Sequence, residues 1–177
     1  MIETARLILR PWRDADREPL HRMSRDADVM AFLGPLLSRE ESDALIDRMM
    51  ALQAQRGYCF WALERQNDAR LLGLCGLKPG AAGTPIANRI EIGWRLRRDA
   101  WGAGYAREAA KAVIQWGWAS LGCDTIYAIT ATGNERSWRL MERLGMQRLP
   151  HLDFDHPLVP EGSALKAHIT YATERPA

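Results

Sequence analysis

The chain has 177 residues and a formal net charge of +2, with 47% hydrophobic and 26% charged residues. That profile suits one folded domain over residues 1–177 around a single core, and excludes a disordered or fibrous chain. So small a charge also speaks against a dedicated nucleic-acid binder, which needs a concentrated basic face.

At the N-terminus, Glu3, Arg6 and Arg10 interrupt the apolar residues of MIETARLILRPW, so no signal-peptide core is present, and no stretch reaches the roughly 18 apolar residues of a membrane span. No membrane partner and a cytoplasmic location are expected. The residues RLILRPW (6–12) predict a first strand, ended by Pro11. Two helices follow, over 14–25 and from Ser38 to Arg56; Ser38 and Glu41 form an S-x-x-E capping box, and Gly57 closes the second helix.

The hydrophobic period then shortens. YCFWALER (58–65) and RLLGLCGLK (70–78) predict a hairpin across QNDA, and NRIEIGWRL (88–96) another strand. Gly93 sits inside that strand, where glycine marks a bulge or a close backbone approach. From Gly104 to Leu121, Ala106, Ala109, Ala110, Val113, Gly117 and Leu121 share one helical face. DTIYAITA (124–131) is a β-branched strand. Asn134 then caps a helix closed by Gly145, with Met146 folding back on Met141. Extended stretches near 146–155 and over 164–173 complete the chain. The expected fold is α+β: a mostly antiparallel sheet of about seven strands, four helices and one parallel crossover.

Cys59, Cys75 and Cys123 lack CxxC spacing and read as buried thiols. His21, His151, His156 and His168 show no metal-ligand spacing, so no metal is expected.

The chemistry concentrates at Trp101-Gly102-Ala103-Gly104-Tyr105-Ala106, where a strand gives way to a helix. Unpaired N–H groups at a helix N-terminus, approached closely through glycines, make a phosphate cradle. The nucleotide P-loop string GxxxxGK(S/T) is absent. A dinucleotide GxGxxG would need glycine where Arg107 stands. The pyrophosphate of coenzyme A is the remaining candidate.

The stretch EIGWRLRRDAWGAGYAREAAKAVIQWGW, followed by NERSWRLMERLGM, resembles the GNAT superfamily of N-acetyltransferases, in particular the branch of ribosomal-protein N-terminal acetyltransferases. Residues 101–106 fit the family's Q/R-x-x-G-x-G/A motif except for Trp101. The resemblance implies an enzyme that uses acetyl-CoA as donor and transfers its acetyl group directly to a primary amine, through a tetrahedral intermediate. It implies a splayed and bulged pre-cradle strand whose backbone at Trp94, Arg95 and Leu96 meets the pantetheine arm. It also implies N–H groups over Trp101, Gly102, Ala103, Gly104, Tyr105 and Ala106 that hold the pyrophosphate, and an Asn134 that touches the arm. Ser137, of N-x-x-S, is the expected donor to the leaving thiolate.

An amine attacks only when neutral, so a base is also needed. Glu91 shares a strand face with Gly93 and Arg95 and is the first choice, although Arg89 or Arg95 could pair with it. Asp153, Asp155 and His156 are alternatives, while His168 reads as structural. Arg95, Arg97, Arg98 and Arg107 crowd the cradle in sequence, so one or two are expected to reach phosphate. Phe32, Leu33 and Trp61 are possible acceptor-pocket walls by analogy with the family. The expected partners are acetyl-CoA and an amine acceptor, in a monomer or homodimer. Two rivals stay open: a non-catalytic acyl-CoA-binding module, and a nucleotide-phosphate enzyme using the same cradle.

Overall fold

A computed structural model describes residues 1–176. The chain runs β1 (Ile2–Glu3), β2 (Leu7–Arg10), α1 (Arg17–Ser24), α2 (Ala27–Met30), α3 (Arg39–Arg56), β3 (Phe60–Arg65), β4 (Arg70–Pro79) and β5 (Ile90–Leu96). It continues through α4 (Tyr105–Leu121), β6 (Thr125–Ala131), α5 (Glu135–Arg143), β7 (Gln147–Arg148), β8 (Phe154–Asp155) and β9 (Ala167–Glu174). The strands form one sheet in the order β1-β2-β3-β4-β5-β6-β9-β7, with β8 also on β9. Every pairing is antiparallel except β5 with β6, which the α4 crossover makes parallel.

This is the expected α+β fold, with nine strands in place of about seven and five α-helices in place of four. The surplus elements are short. β1, β7 and β8 have two residues each, and α2 has four, too few for a periodic signal. The predicted extension over 146–155 is broken by a 3-10 turn at Pro150–Leu152, since proline has no N–H with which to continue a ladder.

Local chemistry accounts for the long elements. Ser38 Oγ accepts from the Glu41 N–H at 3.1 Å while Glu41 Oε2 accepts from the Ser38 N–H at 2.7 Å, so both capping-box bonds are made. At the end of α5, the Met146 N–H bonds to Met141 O and the Gly145 N–H to Glu142 O, the two bonds of a Schellman ending. The inward side of α4 carries Ala109, Ala110, Val113, Ile114 and Gly117, all buried, and lies on the sheet face of Leu77, Ile92 and Ile126.

The opposite face carries Arg10, Ala62, Leu74 and Arg95 in one cross-strand row, and α1 and α2 cover it. A buried ion network fixes α1 there. Arg10 donates to both oxygens of Asp16 at 2.7 and 2.8 Å, and to Glu64 at 2.7 Å. Asp16 and its hydrogen bonds hold the guanidinium firmly protonated despite burial. β2, β3 and the entry to α1 are thereby tied together.

Removing one partner strands a buried charge, so Asp16→Ala should cost about 3–5 kcal/mol. Urea unfolding checks this, and a loss below about 1 kcal/mol would show that the network does not hold α1.

Candidate functional site

The sheet opens between β5 and β6. Their pairing is confined to Glu91 with Tyr127, whereas β4 stays paired with β5 from Ile90 to Leu96 and β9 with β6 from Thr125 to Ala131. Beyond Glu91 the parallel strands diverge, and β5 has an edge inside the sheet.

Alternate residues of an antiparallel strand direct both backbone groups to the same neighbour. Arg97 donates its N–H to Leu72 O at 2.9 Å, so Arg95 and Gly93 use their backbone on β4. Trp94 and Leu96 turn theirs toward the opening, where the Trp101 indole N–H already bonds to Leu96 O at 2.9 Å. Of the three expected positions 94–96, two therefore present backbone to the gap.

The register of β5 against β4 is continuous, so the bulge expected at Gly93 is not there. The shift lies one strand pair away, in β3–β4 beside Leu63 and Glu64. Gly93 is needed for a close approach instead: a Cβ on it would lie 2.7 Å from the Phe60 ring.

At the end of β5 the chain turns through Gly102 and Gly104, with φ of +77° and +80°, where a side chain is strained. Gly104 is the N-cap of α4, and the first helical bond runs from the Glu108 N–H to Gly104 O. The N–H groups of Tyr105, Ala106 and Arg107 therefore have no intrahelical acceptor. Arg6 braces the turn, donating to Ala103 O at 3.0 Å and to Glu108 at 2.7 Å, with its guanidinium over the Tyr105 ring.

The arginines near the cradle divide. Arg95 turns under α1 and α2, Arg97 pairs with Asp99, and Arg98 pairs with Asp28. Arg107 is exposed and, among the described residues, in no ion pair. Arg136, on the first turn of α5, stacks over Trp101 at 4.5 Å. Sequence reasoning passed over it although it lies inside NERS; its spacing from Asn134 on a first helical turn was the available signal.

Asn134 holds the N-cap position of α5, but its side chain does not cap. Its Nδ2 donates to Thr130 Oγ1 at 3.0 Å, tying the helix to the end of β6. Ser137, one turn into α5, donates its N–H to Asn134 O and makes no side-chain hydrogen bond among the described residues.

Glu91 sits where the strands part. It is 7% exposed, and burial raises its carboxyl pKa against the opposing pull of Lys78. Lys78, directly across on β4, pairs with it, in place of Arg89 or Arg95. Among the alternatives, Asp153 is occupied: Arg148 grips both of its oxygens and the Thr170 N–H bonds to one of them. Asp155 is exposed on β8. His156 packs against His168 with ring centroids 4.8 Å apart.

Trp61 lines no acceptor pocket. It is buried on the α4 face, edge-on to Trp116 at 4.9 Å, with its indole N–H bonded to Gln53. Phe32 fits the expectation better, since a Cβ on Gly133 would lie 3.3 Å from its ring. Burial pushes the Cys59 thiol up to about 12 and raises that of Cys75 as well, as expected for inert thiols; Cys123 is half-buried.

Residues 6–147 match the family model described as an acetyltransferase (GNAT) domain. The chain belongs to the GNAT acetyltransferase family. It is 31% identical over 150 residues to the uncharacterized N-acetyltransferase YoaA of Bacillus subtilis, covering 84% of this chain and 83% of that protein. A GNAT-family acetyltransferase structure from Bacillus anthracis superposes with a TM-score of 0.80 at 24% identity, over 98% of this chain and 97% of that one. A spermidine N-acetyltransferase from Vibrio cholerae, solved with CoA and spermine, superposes at 0.74 with 16% identity, over 97% and 94%. Such low identities establish the shared fold alone. The protein is thus a GNAT-family N-acetyltransferase. Among its described residues, no helix is long and apolar enough to cross a membrane.

The His156–His168 pair generates a pH prediction. Burial comes first in lowering both pKa values below 6.5, with His168, Lys78 and Lys166 adding to the effect at His156. The unfolded chain then binds more protons just below pH 6.5, so stability should fall as pH drops from about 7 to about 5.5. The double variant His156→Gln/His168→Gln should flatten that slope in urea titrations; an unchanged slope would contradict it.

Proposed function

We propose that this enzyme binds acetyl-CoA in the opening between β5 and β6 and transfers its acetyl group to a primary amine, on a small molecule or a protein N-terminus. The observation that carries the reading is the internal β5 edge. Trp94 offers a backbone donor and acceptor there and Leu96 its N–H, beside a helix N-terminus with three free N–H groups. Buried backbone groups require partners, and an arm with amide groups ending in a pyrophosphate supplies both kinds.

In this reading the N–H groups over Gly102–Ala106 hold the pyrophosphate; the Trp101 N–H, expected to join them, is committed to Arg98 O at 3.1 Å, so Trp101 flanks the site with its ring beneath Arg136, and the Trp94 and Leu96 backbone aligns the arm. Asn134 bounds the other side of the opening. The Arg95 backbone is committed to β4 and its side chain lies on the acceptor side. Acetyl-CoA supplies an activated acyl group. A backbone N–H of β5 stabilises the oxygen that gains charge during attack.

Ser137 gives the departing thiolate a proton or hydrogen bond, which its unengaged hydroxyl favours. Glu91 takes the proton from the amine, directly or through water. Its desolvated carboxylate is more basic than one in water, and Lys78 keeps it ionised between turnovers. The likeness to ribosomal-protein N-terminal acetyltransferases keeps a peptide α-amine among the acceptors.

Calorimetry should show acetyl-CoA binding that weakens at least about tenfold in Gly104→Glu, which sets a like charge and a strained φ at the cradle. Absence of binding to any acyl-CoA would end the proposal. Ser137→Ala should lower kcat on the order of 10²-fold with acetyl-CoA affinity retained. Unchanged turnover would remove Ser137 from the mechanism.

A further inference from the structure

The sheet face beneath α1 and α2 holds two inward-turned arginines in one cross-strand row, and their surroundings differ. Arg10 is paired with two carboxylates. Arg95 has none among the described residues: its Nη1 reaches Ser24 Oγ at 3.3 Å and Met30 Sδ at 3.5 Å, two weak neutral acceptors. Burial pushes its guanidinium down to about 10, which still leaves it fully cationic at neutral pH. Arg95 keeps some solvent exposure, unlike Arg10, yet its cation is largely withdrawn from water without a counter-ion; that is costly, and proteins pair such charges.

Its place in the fold says what could pair with it. Arg95 follows Gly93 by two residues on the strand bordering the opening, about 7 Å along the chain. Met30 touches it from above, and two residues later Phe32 reaches Gly133 beyond the end of β6. The segment after α2 therefore crosses the opening on the Arg95 face. The cradle lies elsewhere, at the N-terminus of α4, where Arg6, Arg107 and Arg136 are the nearby cations. An anion at Arg95 thus enters from the acceptor side.

We propose that Arg95 binds the carboxylate of the acceptor, so that the substrate is a small amine that also bears a carboxylate, of the amino-acid type. The proposal rests on the acetyltransferase reading above and narrows it. A carboxylate held at Arg95 leaves an amine a few bonds away on the strand face that carries Glu91, which lies four residues back, about 13 Å along β5, so the proton reaches it through water. Ser24 and Met30 orient the guanidinium, leaving its other N–H groups for the incoming oxygens.

The test uses matched pairs: several amino acids, each beside the amine lacking only its carboxylate, with acetyl-CoA as donor and free thiol as readout. Wild-type enzyme should prefer the acid form at least about tenfold in kcat/KM, as expected for a charge-assisted anchor. Arg95→Met should raise KM for the acids and bring the ratio near one, with Arg95→Lys restoring part of it. Acetyl-CoA affinity, followed by calorimetry, confirms that each variant folds. Equal use or preference for the amines by wild-type enzyme would overturn the anchor while leaving the acetyltransferase reading intact. Turnover of no pair, with acetyl-CoA bound, would also overturn it. Failure to bind acetyl-CoA would instead refute the broader reading.

Discussion

Two parallel strands that pair once and then part impose the constraint on which the site depends. A sheet interior normally leaves no backbone group unbonded, yet β5 keeps β4 on one side and releases β6 after Glu91. The α4 crossover joins the two strands, and β9 secures β6 along its length. The resulting edge is protected from aggregation because it is short, flanked by the sheet itself and crossed by the segment after α2. An extended ligand with amide groups can occupy it as an added strand, a recognition mode built from main-chain bonds.

That one opening separates two chemistries by sheet face. The α4 face is apolar and packed, and its helix delivers unpaired N–H groups at the end of β5. The α1–α2 face sets its buried charges among apolar residues such as Ala62 and Leu74. It carries the Arg10–Asp16–Glu64 network, the Lys78–Glu91 pair and the lone Arg95. The donor's arm can therefore be read by backbone, which tolerates sequence change, while the acceptor is read by side chains. Family membership accordingly points to acetyl-CoA as donor, and in the proposed reading the acceptor is left to residues such as Arg95.

Much of the fold was legible because local rules and global topology agree. The capping box at Ser38, the Schellman ending at Gly145 and the amphipathic α4 all form from signals within a few residues. The cradle glycines were readable because φ near +80° admits little else. What the sequence hid depends on register. That Lys78 faces Glu91 follows from the β4–β5 pairing, and no local pattern reports it. Gly93 left a bulge and a close approach both open, because the ring that demands the space belongs to Phe60, two strands away. Asn134 looked like a cap because its competing partner, Thr130, lies at the end of another element. Trp61, offered as a pocket wall only by analogy, lies on the α4 face, since strand alternation gives two faces without saying which helix covers each. Arg95, grouped with the cradle arginines by proximity, points to the other side for the same reason.

The central claim is that the β5 edge is where the donor binds. Native-state amide hydrogen exchange with and without CoA tests it directly. The account predicts slowed exchange at Trp94, Leu96 and the Tyr105–Arg107 amides on CoA binding, with the β9 amides unaffected. Binding of CoA without added protection at Trp94 and Leu96 would contradict it.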